Sequence, residues 1–130
     1  MKTILLVDDE FSLLENLTEM LEDEGYRIVS ASNGRDGLAC AQTEKPDLII
    51  TDFMMPIADG RDLVRGLRSL PEARSIPVMM MSATVKDVAL ADGDGRLDVA
   101  AFIRKPFQWK RLLDTVVRLI GPGEKGERGT

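Results

Sequence analysis

The sequence predicts an α/β domain whose doubly wound, five-stranded parallel sheet carries helices on both faces. Three observations lead there. Short apolar runs of strand length alternate with segments of helical period, the pattern of a parallel sheet covered on both sides. Four of the five runs stop at a chemically reactive residue: Ile4 to Val7 at Asp8-Asp9, Leu48 to Thr51 at Asp52, Val78 to Met81 at Ser82, and Ala101 to Arg104 at Lys105. A chain of 130 residues suits one domain that buries roughly two-thirds of its unfolded surface.

The first strand covers about Thr3 to Val7. A helix follows with Phe11, Leu14, Leu17 and Leu21 on one inward stripe and Gly25 as its stop. Arg27 to Ala31 forms the second strand. Asn33 caps a short helix through Gln42, which Lys45-Pro46 ends. Leu48 to Thr51 is the third strand, with Asp52 just past it. A loop holding Pro56 and Asp59-Gly60 leads to a helix with Leu63, Leu67 and Leu70 inward. Val78 to Met81 and Ala101 to Arg104 are the fourth and fifth strands. The last helix runs from about Gln108 to Ile120, with Leu112, Val116 and Leu119 facing the core.

Two segments break the pattern. The helix expected between the fourth and fifth strands contains Asp92-Gly93-Asp94-Gly95, and each glycine costs about 1 kcal/mol of helix relative to alanine. That helix is expected to be short, irregular or mobile. Gly121 to Thr130 has no apolar residue and four glycines, so the domain is expected to span 1–120 and to be followed by a flexible tail or linker stub, 121–130.

Composition excludes several functions. A net charge of -5 argues against non-specific nucleic-acid binding, which needs a basic face. Cys40 is the only cysteine, so there is no disulfide framework and a reducing compartment, the cytoplasm, is expected. No apolar run approaches the roughly 18 residues of a membrane span, and Met1-Lys2-Thr3 enters a strand rather than a signal peptide. With no histidine in the chain, any catalysis must use carboxylate, hydroxyl and amine.

The strand-end chemistry also suggests an order. The second strand ends in Ala31-Ser32 with no charged group, so an order of 2-1-3-4-5 places it at an edge and makes strands one and three neighbours. The crevice of such a sheet opens between those two. Asp8, Asp9 and Asp52 then converge there, with Ser82 and Lys105 on the far side. Clustered carboxylates, a hydroxyl and an ammonium describe a site for a divalent metal and a phosphate.

These residues carry a resemblance. Asp8-Asp9, Asp52 with Met54-Met55-Pro56 and Asp59-Gly60, Ser82-Ala83, and Phe102 followed by Lys105-Pro106-Phe107 together resemble the receiver domain of two-component response regulators, over about Lys2 to Ile120. The resemblance implies a flavodoxin-like fold with the strand order above, so on that point it and the chemistry are not independent. It implies that Asp52 is the phosphoacceptor for a histidine kinase or histidine phosphotransfer protein. Asp8 and Asp9 would bind Mg²⁺ (or Mn²⁺), Asp9 directly and Asp8 partly through water, with the Met54 backbone carbonyl as a further ligand. Lys105 would answer the phosphoryl charge and Ser82 would donate its hydroxyl to a phosphoryl oxygen. The family has the Lys105-Pro106 bond cis. Ser82 and Phe102 would form the switch that alters the surface of the fourth helix, fifth strand and last helix, and so control a downstream partner or linked effector. Met54 and Thr84 would tune signal lifetime. Such a chain catalyses its own phosphoryl transfer and autodephosphorylation without being a dedicated enzyme, and needs neither membrane nor direct nucleic-acid contact.

Each residue also has a plainer reading. Asp9 and Glu10 suit the dipole of the first helix, worth about 0.3–1 kcal/mol, but that leaves Asp52 unexplained. Ser82 suits a helix cap, and Phe102 suits a core position as well as a switch. Two other function classes remain. A Mg²⁺-dependent aspartyl-nucleophile phosphatase wants a second carboxylate two residues after the nucleophile, where this chain has Met54. An unphosphorylated interaction module would tolerate loss of Asp52 or Lys105, and both are present. Asp98 departs from the family pattern, since a glycine commonly precedes the fifth strand.

Overall fold

The computed structural model describes residues 1–83 and 98–124. Its elements in chain order are β1 (Thr3–Val7), α1 (Phe11–Asp23), β2 (Arg27–Ala31), α2 (Gly34–Glu44), β3 (Leu48–Asp52), α3 (Gly60–Arg68), β4 (Val78–Ser82), β5 (Ala101–Arg104) and α4 (Trp109–Ile120). All pairings are parallel and the sheet order is β2-β1-β3-β4-β5, as the strand-end chemistry suggested. Thr84 and the glycine-interrupted helix lie outside the described residues, as does the tail beyond 124.

Central and edge strands differ in burial for a topological reason. β1, β3 and β4 are buried at every position because helices cover both faces, which is why they read as unbroken apolar runs. β2 and β5 lie at the edges and are only partly covered. Alternate residues feed two cores. Leu5, Val7, Ile49, Val78 and Met80 meet Leu63, Val64 and Leu67 of α3 and Ala41 of α2 on one face. Ile4, Leu6, Leu48, Ile50, Met79 and Met81 meet Leu17 and Leu21 of α1 and Leu112 and Val116 of α4 on the other.

Local signals set most boundaries. Asn33 accepts a hydrogen bond from the Asp36 amide at 2.8 Å and so caps α2. That helix runs to Glu44, two residues past the expected end, because Lys45 adopts a left-handed C-cap (φ 49°). α3 ends at Arg68, so Leu70 falls outside the helix, although it still packs against the core. The Ser69 amide and hydroxyl both bond the Gly66 carbonyl there and tighten the turn. β3 and β4 each extend one residue further than expected. Asp52 pairs in register with Met81, and Ser82 with Arg104.

Phe11 departs from the expected stripe. It is the first residue of α1 and is 72% exposed, lining a surface groove with Leu14 and with Ser30 and Ala31 of edge strand β2. Leu14 is half-buried and only Leu17 and Leu21 are fully buried.

Asp98 has a structural use that its sequence position did not reveal. Arg68 donates to the backbone carbonyls of Arg74 (2.9 Å), Ile76 (2.9 Å) and Asp98 (2.8 Å), and its Nε lies 3.0 Å from the Asp98 carboxylate. One guanidinium therefore ties the end of α3 to both approaches to the sheet edge. Arg68→Met is expected to cost about 2–3 kcal/mol, since it strands carbonyls that a charged donor served. Asp98→Ala keeps the carbonyl and loses only an exposed ion pair, so it is expected to cost under about 0.5 kcal/mol. Thermal unfolding of the two variants checks this; equal melting temperatures would remove the clasp.

The first residues after α4 are held in place. The Tyr26 hydroxyl donates to the Gly121 carbonyl at 2.7 Å, and the Glu124 amide donates to the Gly25 carbonyl at 3.2 Å. The N-terminal amine pairs with Glu124 at 3.0 Å. A Cβ at Gly123 would stand 2.1 Å from the Glu24 carbonyl oxygen, so only glycine fits under this strap.

Candidate functional site

The site forms where β1 and β3 end. Val7 pairs with Thr51, so Asp8 and Asp52 leave the sheet at the same level. Asp52 pairs with Met81, which puts Ser82 one residue beyond it on β4. Ser82 pairs with Arg104, and its carbonyl accepts the Lys105 amide at 2.8 Å, so Lys105 follows directly off β5. The Lys105-Pro106 bond is cis.

Four charged groups converge at this edge. One oxygen from each of Asp8, Asp9 and Asp52 lies within 4.8 Å of the other two. Lys105 Nζ reaches across β4 to Asp52 Oδ1 at 3.4 Å and across β4 and β3 to Asp8 Oδ2 at 3.2 Å. Asp8 is fully buried, and its other oxygen accepts the Glu10 amide at 2.9 Å. Asp9 is exposed and Asp52 is largely buried. Three acidic oxygens with one open side suit a hard divalent cation that keeps part of its water shell. The residues expected to hold Mg²⁺ therefore fit one.

Lys105 is shared, and the sharing is unequal in effect. Burial opposes its charge, but Asp8 and Asp52 outweigh that and hold its ammonium above the ordinary lysine range. Asp52 has the opposite balance. Burial and then the Asp8 charge raise its carboxyl above the usual range, and the single lysine does not fully compensate. Asp52 thus binds a proton more readily folded than unfolded, so its charge opposes folding once pH exceeds both values. With chelator present, Asp52→Asn is expected to raise the melting temperature at neutral pH by a few degrees, the effect of about 1 kcal/mol on a domain this size. The gain fades as pH falls through the raised Asp52 value and the native carboxyl protonates. A variant no more stable than the parent at pH 7 would overturn this balance.

A seven-residue loop, Phe53 to Asp59, carries the rim. It closes through the Gly60 amide on the Phe53 carbonyl (2.8 Å) and is docked to α2 by the Gly34 amide on Ala58 (2.8 Å). Asp59 and Asp62 form a reciprocal capping box that starts α3. Ile57 sits at φ 71°, an unfavourable conformation for a β-branched residue, and a strained backbone beside a site is a functional signal. Met54 is 70% exposed and Ile57 67% exposed, so the loop that follows Asp52 presents two apolar side chains to solvent. Sequence reasoning missed the strained backbone at Ile57 and Asp62 as a cap. The Asp59-x-x-Asp62 spacing was the signal available for the last.

Among the other expected site residues, Ser82 is buried at its strand end. Phe102 is half-buried on edge strand β5, paired in register with Met80 and packed on the α2–α3 face of the sheet. Thr84 lies outside the described residues.

The sequence model of the response regulator receiver domain matches residues 4–117. The chain belongs to the response regulator receiver family. It is 34% identical to Protein PilH of Pseudomonas aeruginosa over 116 residues, covering 89% of this chain and 95% of that protein. It is 37% identical to the phosphate regulon transcriptional regulatory protein PhoB of the same organism, covering 95% of this chain but 55% of PhoB. Several other curated relatives are likewise spanned over only about half their length. The receiver fold superposes on chemotaxis protein CheY4 of Vibrio cholerae with a TM-score of 0.83 and 30% identity, covering 92% of this chain and 98% of that one. It also superposes on the receiver domain of sensor histidine kinase PA1611 from P. aeruginosa, a structure with a magnesium ion in its active-site cleft, with a TM-score of 0.80, 27% identity and coverage of 92% and 98%. Receivers are signalling modules of two-component systems. No helix among the described residues is long and apolar enough to cross a membrane.

Proposed function

We propose that this receiver is a phosphorylation-dependent switch that takes a phosphoryl group from a histidine kinase or histidine phosphotransfer protein onto Asp52, with Mg²⁺ held by Asp8, Asp9, Asp52 and the Met54 carbonyl. The supporting observation is the arrangement around Asp52: two further carboxylates close by and Lys105 Nζ 3.4 Å away. An Asp52 oxygen attacks phosphorus, its O–P bond forms as the donor's N–P bond breaks, and the electron pair leaves with the imidazole nitrogen. The bound cation would neutralise phosphoryl charge that three carboxylates otherwise repel. Lys105 adds a second positive group, already placed between Asp8 and Asp52. The Ser82 hydroxyl donates to a phosphoryl oxygen. Its movement lets Phe102, half-buried on an edge strand, turn inward and change the β5–α4 face that a downstream partner reads. A cytoplasmic location fits this role.

Met54 also bears on signal lifetime. Its side chain is exposed two residues after Asp52, and a thioether cannot position an attacking water. Met54→Asn is expected to shorten the phosphoryl lifetime several-fold, measured by loss of the adduct over time; an unchanged lifetime would leave Met54 without this role.

Intact mass after incubation with Mg²⁺ and acetyl phosphate tests the switch. One Mg²⁺-dependent phosphoryl adduct, absent from Asp52→Asn, is expected. No adduct, even from a phosphohistidine donor, would mean an idle pocket and an interaction module.

A further inference from the structure

The protein carries a net charge of -5, yet four exposed cations gather at β5 and α4. Arg104 at the end of β5 and Lys110, Arg111 and Arg118 on α4 are all exposed, and only Asp114 opposes them on that helix. Lys110 takes that acid at 3.2 Å. Arg104, Arg111 and Arg118 have no ion-pair partner among the described residues.

Two shallow grooves meet at Arg111. One is walled by Pro106 and Phe107 with Arg104 at its edge, and the other runs along α4 to Arg118. Arg111 and Arg118 lie seven residues apart, two helical turns or about 10.5 Å along one side of the helix. The result is a track with an apolar end and a cationic length.

We propose that this track receives an acidic polypeptide segment of about two helical turns that seats an apolar side chain against Phe107. Charge complementarity sets the sign of the partner. Nucleic acid fits less well. α1 packs on the same face of the sheet as α4 and carries Glu15, Glu19, Glu22 and Asp23 with no cation. A nucleic-acid backbone long enough to use the arginines would also meet that acidic helix, whereas a short peptide need not. The inference deepens the switch reading, in which this face carries the output, by naming the chemistry of the partner.

The test is fluorescence anisotropy of the full chain with a labelled helical peptide of about 14 residues, built of glutamate with leucines near one end, at about 0.15 M salt. It is run with and without Mg²⁺ and acetyl phosphate, beside a single-stranded oligonucleotide of similar charge. The expected result is peptide binding that weakens about tenfold or more in Arg104→Glu/Arg111→Glu and again in the separate variant Arg118→Glu, with Glu15→Gln/Glu19→Gln unchanged. Equal binding by parent and charge-reversed chains, or tighter binding of the oligonucleotide, overturns the proposal. Mass spectrometry of the same samples separates the two readings. An Asp52 adduct without peptide binding overturns the track and leaves the switch. Arginine-dependent binding without any adduct upholds the track and overturns the switch.

Discussion

A Lys105→Met variant is expected to take up phosphoryl from acetyl phosphate about a hundredfold more slowly than the parent, while binding Mg²⁺ at least as tightly. The two effects separate because Lys105 serves different ends in them. Its ammonium is the cation that Asp8 and Asp52 share, at 3.2 and 3.4 Å. Removing it leaves a more negative pocket, which draws a cation more strongly but also repels an incoming phosphoryl group. Methionine preserves most of the aliphatic stem, so the loss is electrostatic rather than a packing defect. In chelator the variant is also expected to lose about 2 kcal/mol of stability, below the 3–5 kcal/mol typical of breaking a fully buried pair, because Lys105 keeps partial contact with water. Adding Asp52→Asn is expected to restore much of that loss, since the repulsion needs both carboxylates. Rapid-mixing kinetics, calorimetric Mg²⁺ titration and thermal unfolding read the three quantities. Normal phosphoryl uptake would deprive Lys105 of its role.

Gly60→Val is expected to cost 3 kcal/mol or more and to disable the site in whatever protein still folds. A Cβ at Gly60 would stand 2.7 Å from the Asp52 carbonyl oxygen, 2.8 Å from Met80 Sδ and 3.0 Å from Phe53 Cα. Two of those atoms are backbone and cannot swing aside as the end of a long side chain can. The start of α3 therefore rests directly on the last residue of β3, and the Gly60 amide bonds the Phe53 carbonyl at 2.8 Å to close the loop between them. Valine must push α3 away from the sheet or push Asp52 out of place. Gly60→Ala meets the same atoms with a smaller group and is expected to lie between parent and valine in both stability and rate of phosphoryl uptake. Denaturant unfolding and intact mass measure the two. A valine variant with parental stability and uptake would show that this close approach is not needed.

The parts of the fold legible in the sequence were those set by short-range rules. β1, β3 and β4 announced themselves because strands covered on both faces need unbroken apolar runs. Asn33 marked a helix start because its side chain caps the amide three residues on. Phe11 misled for the same kind of reason: its helical spacing matched the stripe, but periodicity does not say which turns of a helix the rest of the fold covers. The end of α3 at Arg68 turned on a hydroxyl–carbonyl bond too local for a hydrophobic pattern to register.

For the site, the chain's order of residues was enough to bring Asp8, Asp9 and Asp52 to one edge. In a parallel sheet every strand's carboxyl end lies on the same side, so a group that follows an apolar run is placed by topology alone. Only the tertiary structure decided how those groups divide their charge. Lys105 lies 97 residues from Asp8 in the chain, and nothing local to either residue says that one ammonium serves two carboxylates. The same holds for Arg68 meeting the backbone of Asp98, for Gly60 resting on Asp52, and for Gly123 passing under Glu24. Propensity, capping and hydrophobic period act over a few residues and so can be read along the chain. Shared charges and close backbone approaches depend on distances between remote segments, which exist only once the sheet and its helices have packed.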